Sequence, residues 1–229
     1  MRRTLRTTHD RTVTCPHDHM RIVLQHIAKH YGREVVFQNV DLTLSPGSRT
    51  AILGPNGSGK STLLQVIGGA IIPTEGSITH HLHDRLVPQE EVYRHVAIAA
   101  PYLGLYEDLS LEQAIHFHAR FKPLLPGVSP QDVARIAYLE NARHKQVLHF
   151  SSGMRQRLKL ALAILSDTPL LLLDEPASNL DTEAISWFQG LLRTHLGRRT
   201  LVVASNRQQA EYALCETTIE IGAHKPAGA

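Results

Sequence analysis

At 229 residues, 42% of them hydrophobic, the chain has room for one substantial domain with an inserted subdomain. Five arginines against two aspartates in the first 21 residues account for the whole formal net charge of +3, so the remainder is neutral and the basic balance does not point to nucleic acid. No run approaches the roughly 18 apolar residues of a membrane span, and the isolated Cys15 and Cys215 exclude a disulfide framework and suit a reducing cytoplasm.

Residues 1–19, rich in Arg, Thr and His without a continuous apolar stretch, are not a secretory signal and read as a disordered tail, with Met20 as an alternative start. Neither Cys15, His17 and His19 nor His80, His81 and His83 has the second ligand pair of a zinc site, so these histidines are expected to be solvated loop residues. Strands are predicted over 21–29 and 35–44 about a turn at Tyr31 and Gly32. Ser45, Pro46 and Gly47 then turn the chain into a short buried strand over 49–53.

The octapeptide GPNGSGKS at 54–61 satisfies every fixed position of the phosphate-loop pattern G-x-x-x-x-G-K-[ST], and the apolar face of Leu63, Leu64 and Ile67 predicts a helix over 61–67. Strand, glycine-rich turn and helix N-terminus together aim backbone N–H groups and a helix dipole at an anion. Gly54, Pro55, Asn56, Gly57, Ser58, Gly59, Lys60, Ser61 and Thr62 are therefore the expected phosphate-binding residues of a nucleoside triphosphate site. Lys60 brings a positive charge to the β and γ phosphates, and Ser61 offers its hydroxyl to Mg²⁺.

After PTEG at 73–76 come strands at 77–80 and 96–100, the second ending at Pro101. Between 110 and 165 the period becomes helical. Ser110 with Gln113 forms a capping-box pattern, Ser129 before Pro130 caps a second helix, and a third begins near Ser152 with Met154, Leu158, Ala161, Leu162 and Leu165 on one face. LLLLDEP at 170–176 is an apolar strand ending in two carboxylates, with Asp174 placed to hold Mg²⁺ and Glu175 to take a proton from an attacking water. A helix over 182–196, a strand over 201–204, a helix over 208–214 and a strand over 217–221 complete the chain. This order predicts an α/β fold: a phosphate-loop NTPase core with a mostly parallel sheet, an antiparallel β subdomain near the N-terminus, and an inserted helical subdomain over about 102–165.

Immediately before LLLLDEP, the stretch FSSGMRQRLKLALAIL at 150–165 resembles the signature segment of the ATP-binding cassette (ABC) family, with Ser151 and Gly153 matching and Ser152 and Met154 departing from the commonest residues. The resemblance covers nearly everything after Met20 and implies an ATPase using ATP and Mg²⁺, with Tyr31 stacking on adenine and Ser178, Asn179, Leu180 and Asp181 forming the loop after the acidic pair. It further implies a head-to-tail dimer in which each ATP touches the phosphate loop of one cassette and Ser151 and Gly153 of the other. A helix beginning at Ser152 suits that role, because its unpaired N–H groups make a second anion site. By the same resemblance, the chain powers export or related transport from the cytoplasmic face through separate transmembrane permease subunits. No nucleic-acid partner is expected. Pro101 stands where the family usually has glutamine and Asn206 where it usually has histidine, which implies slow hydrolysis, with Glu175, Lys60 and Asn206 as the catalytic set. A soluble ABC-type ATPase of translation or DNA maintenance is the alternative, although the paired cassettes, coiled-coil insertions or zinc modules of such proteins are not visible here.

Overall fold

The computed structural model describes residues 20–224, so the expected tail over 1–19 lies outside the described residues. β1 (Met20–Tyr31) and β2 (Glu34–Leu44) pair antiparallel around the Gly32 turn, with Ile22 opposite Leu44. β4 (Glu75–Leu82) pairs with the other edge of β1, and β5 (Arg85–Val87), which the sequence reading did not anticipate, closes a four-stranded sheet of order β2-β1-β4-β5. The histidine expectation needs correction here. Strand alternation turns His80 inward, where it is buried and its ring nitrogen lies 2.8 Å from the Ile67 carbonyl oxygen. Burial lowers its pKa, so it packs as a neutral group.

The second sheet is parallel throughout, in the order β6-β7-β8-β3-β9: β3 (Arg49–Leu53), β6 (Val96–Ala99), β7 (Leu170–Asp174), β8 (Thr200–Ser205) and β9 (Thr217–Glu220). The leucine run of β7 reads without alternation because both of its faces are covered. Leu170 and Leu172 join Leu63, Leu64 and Ile67 of α1 (Lys60–Ile67) in one core, while Leu171 and Leu173 join Leu158 and Leu162 of α4 (Ser152–Ile164) in the other. Each buried leucine contributes about 2 kcal/mol. A charge on either face of β7 would oppose the whole layer.

The helical subdomain consists of α2 (Leu111–Phe121), α3 (Pro130–Ile136) and α4. Ser110 and Gln113 form the expected capping box, and Ser129 forms another with Asp132, whose carboxyl is held well below its usual range by Arg135 and Ser129. α5 (Thr182–His195) starts on an Asp181 cap. The helix expected over 208–214 is reduced to a 3-10 turn at Gln209–Glu211. Helical continuation is lost because the Ala210 carbonyl accepts from Gln189 Nε2 at 2.9 Å and Glu211 turns its carboxylate into the core.

Candidate functional site

Because the strands of the second sheet are parallel, everything that follows each strand emerges at one edge, where open α/β sheets hold ligands. The phosphate loop follows β3, Pro101 follows β6, Glu175 follows β7, and Asn206 follows β8. Register fixes their proximity: Leu53 is opposite Ser205 and Asp174 opposite Ala204. The backbone N–H of Glu175 donates to the Ala204 carbonyl at 2.9 Å.

Gly59 adopts φ 96°, and a Cβ there would come within 2.7 Å of Val36 Cγ1, so only glycine permits the turn into α1. Gly57, at φ 74°, leaves open space where a side chain would stand. Lys60 is buried, with its Nζ 3.1 Å from the Pro55 carbonyl oxygen and 3.8 Å from Glu175 Oε1. The loop thus curls around its own lysine. Ser58 is buried, while Pro55, Asn56 and Gly57 face solvent and Ser61 and Thr62 are half-buried at the helix start.

Asp174 is 2% exposed, and its Oδ1 has no hydrogen-bond partner among the described residues. Burial raises its pKa, while the Ser61 hydroxyl and the Lys60 charge act in the opposite direction. Glu175 holds a left-handed φ of 45°, a strained backbone that turns the chain sharply before Pro176. Asn206 is exposed just beyond β8, followed by Arg207 at φ 71°, whose guanidinium reaches Glu220 at 3.1 Å.

The signature segment lies on the same side. Ser151 is the N-cap of α4 and accepts from the Met154 N–H at 3.2 Å. A Cβ at Gly153 would meet only the Asn179 carbonyl oxygen, at 3.5 Å, so the start of the helix sits against the loop that follows the acidic pair. Tyr31, 51% exposed, carries Lys29 Nζ 5.0 Å from its ring centroid at the end of β1.

The ABC transporter family matches residues 37–178, a span containing the phosphate loop, the signature segment and the acidic pair. The chain belongs to the ABC transporter family. It is 30% identical over 201 residues to the cytochrome c biogenesis ATP-binding export protein CcmA of Rhizobium meliloti (strain 1021), covering 85% of this chain and 94% of the relative. It is also 30% identical to a Nod factor export ATP-binding protein I of Cupriavidus metallidurans, covering 84% of this chain and 65% of that one. A solved dimeric bacterial ABC transporter cassette superposes with a TM-score of 0.72 at 25% identity, over 88% of this chain and 95% of that one.

Several residues of this ABC cassette that shape the site escaped the sequence reading. Tyr102 follows Pro101 and is 44% exposed, and partial desolvation together with the Asp174 charge pushes its phenol pKa up. Lys159 of α4 donates to the Ala100 and Pro101 carbonyls at 3.3 and 3.4 Å, tying this segment to the signature helix. Gln156, Ser205 and Glu211 are buried polar residues behind the reacting edge. The sequence signal for Gln156 was weak, since it shares its helical face with Leu160 and Ala163 but also with Ser152 and Lys159. Glu211 had no such signal, because it reads as an ordinary exposed helix residue.

Proposed function

We propose that this ABC ATP-binding subunit hydrolyses Mg-ATP between two cassettes, a second copy or a different one, and delivers the closing stroke to transmembrane permease subunits for export from the cytoplasmic face. The observation that carries the reading is the convergence of Lys60, Asp174, Glu175 and Asn206 on one sheet edge, with a buried aspartate oxygen left unpartnered. The two export-protein relatives support the direction of transport. No helix among the described residues is long and apolar enough to cross a membrane.

The orphaned Asp174 oxygen beside the Ser61 hydroxyl fits a small hard cation such as Mg²⁺, for which carboxylate and hydroxyl oxygens are suitable donors. When bound, that ion would supply charge neutralisation to the phosphates. The residues of the chain do the rest. The N–H groups of Gly57, Gly59, Lys60 and Ser61 receive the phosphates, with Gly54, Pro55, Asn56, Ser58 and Thr62 shaping the cradle, and Lys60 Nζ moves from the Pro55 carbonyl onto the γ-phosphate oxygens. Glu175 accepts a proton from the in-line water, and the Asn206 amide donates to the γ-phosphate. Tyr31 presents its ring to adenine. Ser151 and Gly153 receive the γ-phosphate of the partner cassette's ATP.

A groove of about 400 Å³ between the core and the helical subdomain supports the permease partner. Tyr93, Tyr106 and Phe121 on its rim are each at least 60% exposed. The deciding experiment is Glu175→Gln in Mg-ATP. The expected result is retained ATP binding, blocked hydrolysis and a stable cassette dimer by light scattering, with the heterologous cassette added if the chain alone stays monomeric. Monomer in both cases rejects the sandwich.

A further inference from the structure

The peptide unit between Pro176 and Ala177 is gripped on both sides by buried side chains. Its carbonyl oxygen accepts from Gln156 Nε2 at 2.9 Å, and its N–H donates to Glu211 Oε1 at 3.0 Å. Gln156 stands in α4 just beyond Ser151 and Gly153, whereas Glu211 follows β8. The other carboxylate oxygen of Glu211 accepts a short hydrogen bond from the Ser205 hydroxyl, and Ser205 Oγ accepts from the Gln208 N–H at 3.1 Å. Ser205 immediately precedes Asn206.

Gln156 is 7% exposed, Ala177 4%, Glu211 3% and Ser205 0%, so water does not compete for these bonds. Both carboxylate oxygens are taken by neutral groups, and a carboxylate so buried carries a desolvation cost that an apolar side chain of the same size would avoid. Its two bonds go to the two segments that bracket the reacting edge. Glu175 is thereby fixed from both directions, by its own N–H on the Ala204 carbonyl and by the gripped peptide that follows Pro176.

We infer that Gln156 and Glu211 are positioning residues for hydrolysis, forming with the Pro176–Ala177 peptide and Ser205 a relay that ties the start of the signature helix to Glu175 and Asn206. The helix end offered to a partner's nucleotide and the residues acting on the chain's own nucleotide then move as one unit, through a contiguous set of bonds. The catalytic part of the inference rests on the ATP-hydrolysing reading of the site. The structural part does not.

Amide hydrogen exchange on the full chain tests the relay directly. Gln156→Ala should raise exchange several-fold over 205–211, a segment it does not bond to, and Glu211→Ala should do the same in the first turn of α4. Changes confined to each substituted residue's own segment overturn the relay. In single-turnover hydrolysis, each variant should lose about tenfold in rate, the scale of a modest misplacement of reacting groups, with ATP affinity unchanged. Glu211→Gln, which can still accept from Ala177 and donate to Ser205 Oγ, should restore most of the rate. The double variant should be no slower than the slower single variant, because one relay is cut twice. Multiplying losses, or no rescue by glutamine, overturn the positioning role. If Glu211→Ala does not fold, Ser205→Ala cuts the relay at its next link and carries the same comparison. A wild-type chain inert toward ATP would count against the hydrolysis reading, while the exchange comparison would still decide the relay.

Discussion

Lys60 Nζ lies 3.8 Å from Glu175 Oε1, so the cation proposed to receive phosphate and the carboxylate proposed to receive a proton form an ion pair with each other. Lys60 is 4% exposed and Glu175 30%, an attraction stronger than a surface pair yet partly screened. An incoming triphosphate competes with Glu175 for the lysine and also meets its negative charge. Glu175→Gln should therefore tighten ATP binding by about fivefold, the equivalent of roughly 1 kcal/mol. Titration calorimetry without divalent cation checks this; an unchanged affinity means that Lys60 reaches phosphate without giving up its carboxylate.

Asn206 can donate from its amide but cannot carry a charge or shuttle a proton, and it is exposed beside the acidic pair. Loss of a well-placed transition-state donor costs about 10² to 10³ in rate, part of which an amide recovers. Asn206→His should raise kcat with little change in ATP affinity, because the bond matters mainly as charge redistributes. A lower kcat in a folded, ATP-bound variant would show that the loop, with Pro101 and Tyr102 opposite, is built for asparagine.

Among the described residues Arg199 is the largest fully buried side chain, and its guanidinium donates to four carbonyls: Leu196 at 3.1 Å, Ser166 at 2.9 Å, Ile164 at 2.7 Å and His195 at 2.8 Å. It staples the C-terminal end of α4 to the C-terminal end of α5, and burial lowers its pKa to about 10. Arg199→Ala leaves these acceptors unpaired in the core and should destabilise the protein by about 3 to 5 kcal/mol. Arg199→Lys, with three donors and no planar fork, should fall between. Urea unfolding measures both; a loss below 1 kcal/mol in the alanine variant would mean that water replaces the guanidinium.

His118 of α2 lies 2.8 Å from Ser166 Oγ, which itself donates to the Leu162 carbonyl, so the imidazole Nε2 must be the donor. Burial, with Lys122 nearby, lowers its pKa to about 4 from an unfolded value of 6.5. Between those values the unfolded chain binds the extra proton. Stability is thus fully present above pH 6.5 and is lost as pH falls toward 4, by on the order of 2 kcal/mol after allowance for partial solvation. His118→Gln keeps a donor and does not titrate. Its melting temperature should fall less than that of the wild type between pH 7.5 and 5.5; parallel pH profiles would assign the acid sensitivity elsewhere, with the buried His80 the next group to test.

The sequence by itself determined the phosphate loop, the acidic pair and the caps at Ser110 and Ser129, because each is a local pattern in which residue type and spacing set both conformation and chemistry. The leucine run likewise announced a buried strand. Only the tertiary structure decided what lies behind the reacting edge. Glu211 reads locally as part of an amphipathic helix, yet Gln189 takes the Ala210 carbonyl and Ser205 and Ala177 draw the carboxylate inward, so long-range bonds override a weak helical preference. His80 reads as one of a polar cluster, and strand pairing places it under Ile67. Such residues are invisible to spacing because most of their partners stand 13 to 34 positions away in the chain, and only the folded backbone brings a donor to each of their acceptors.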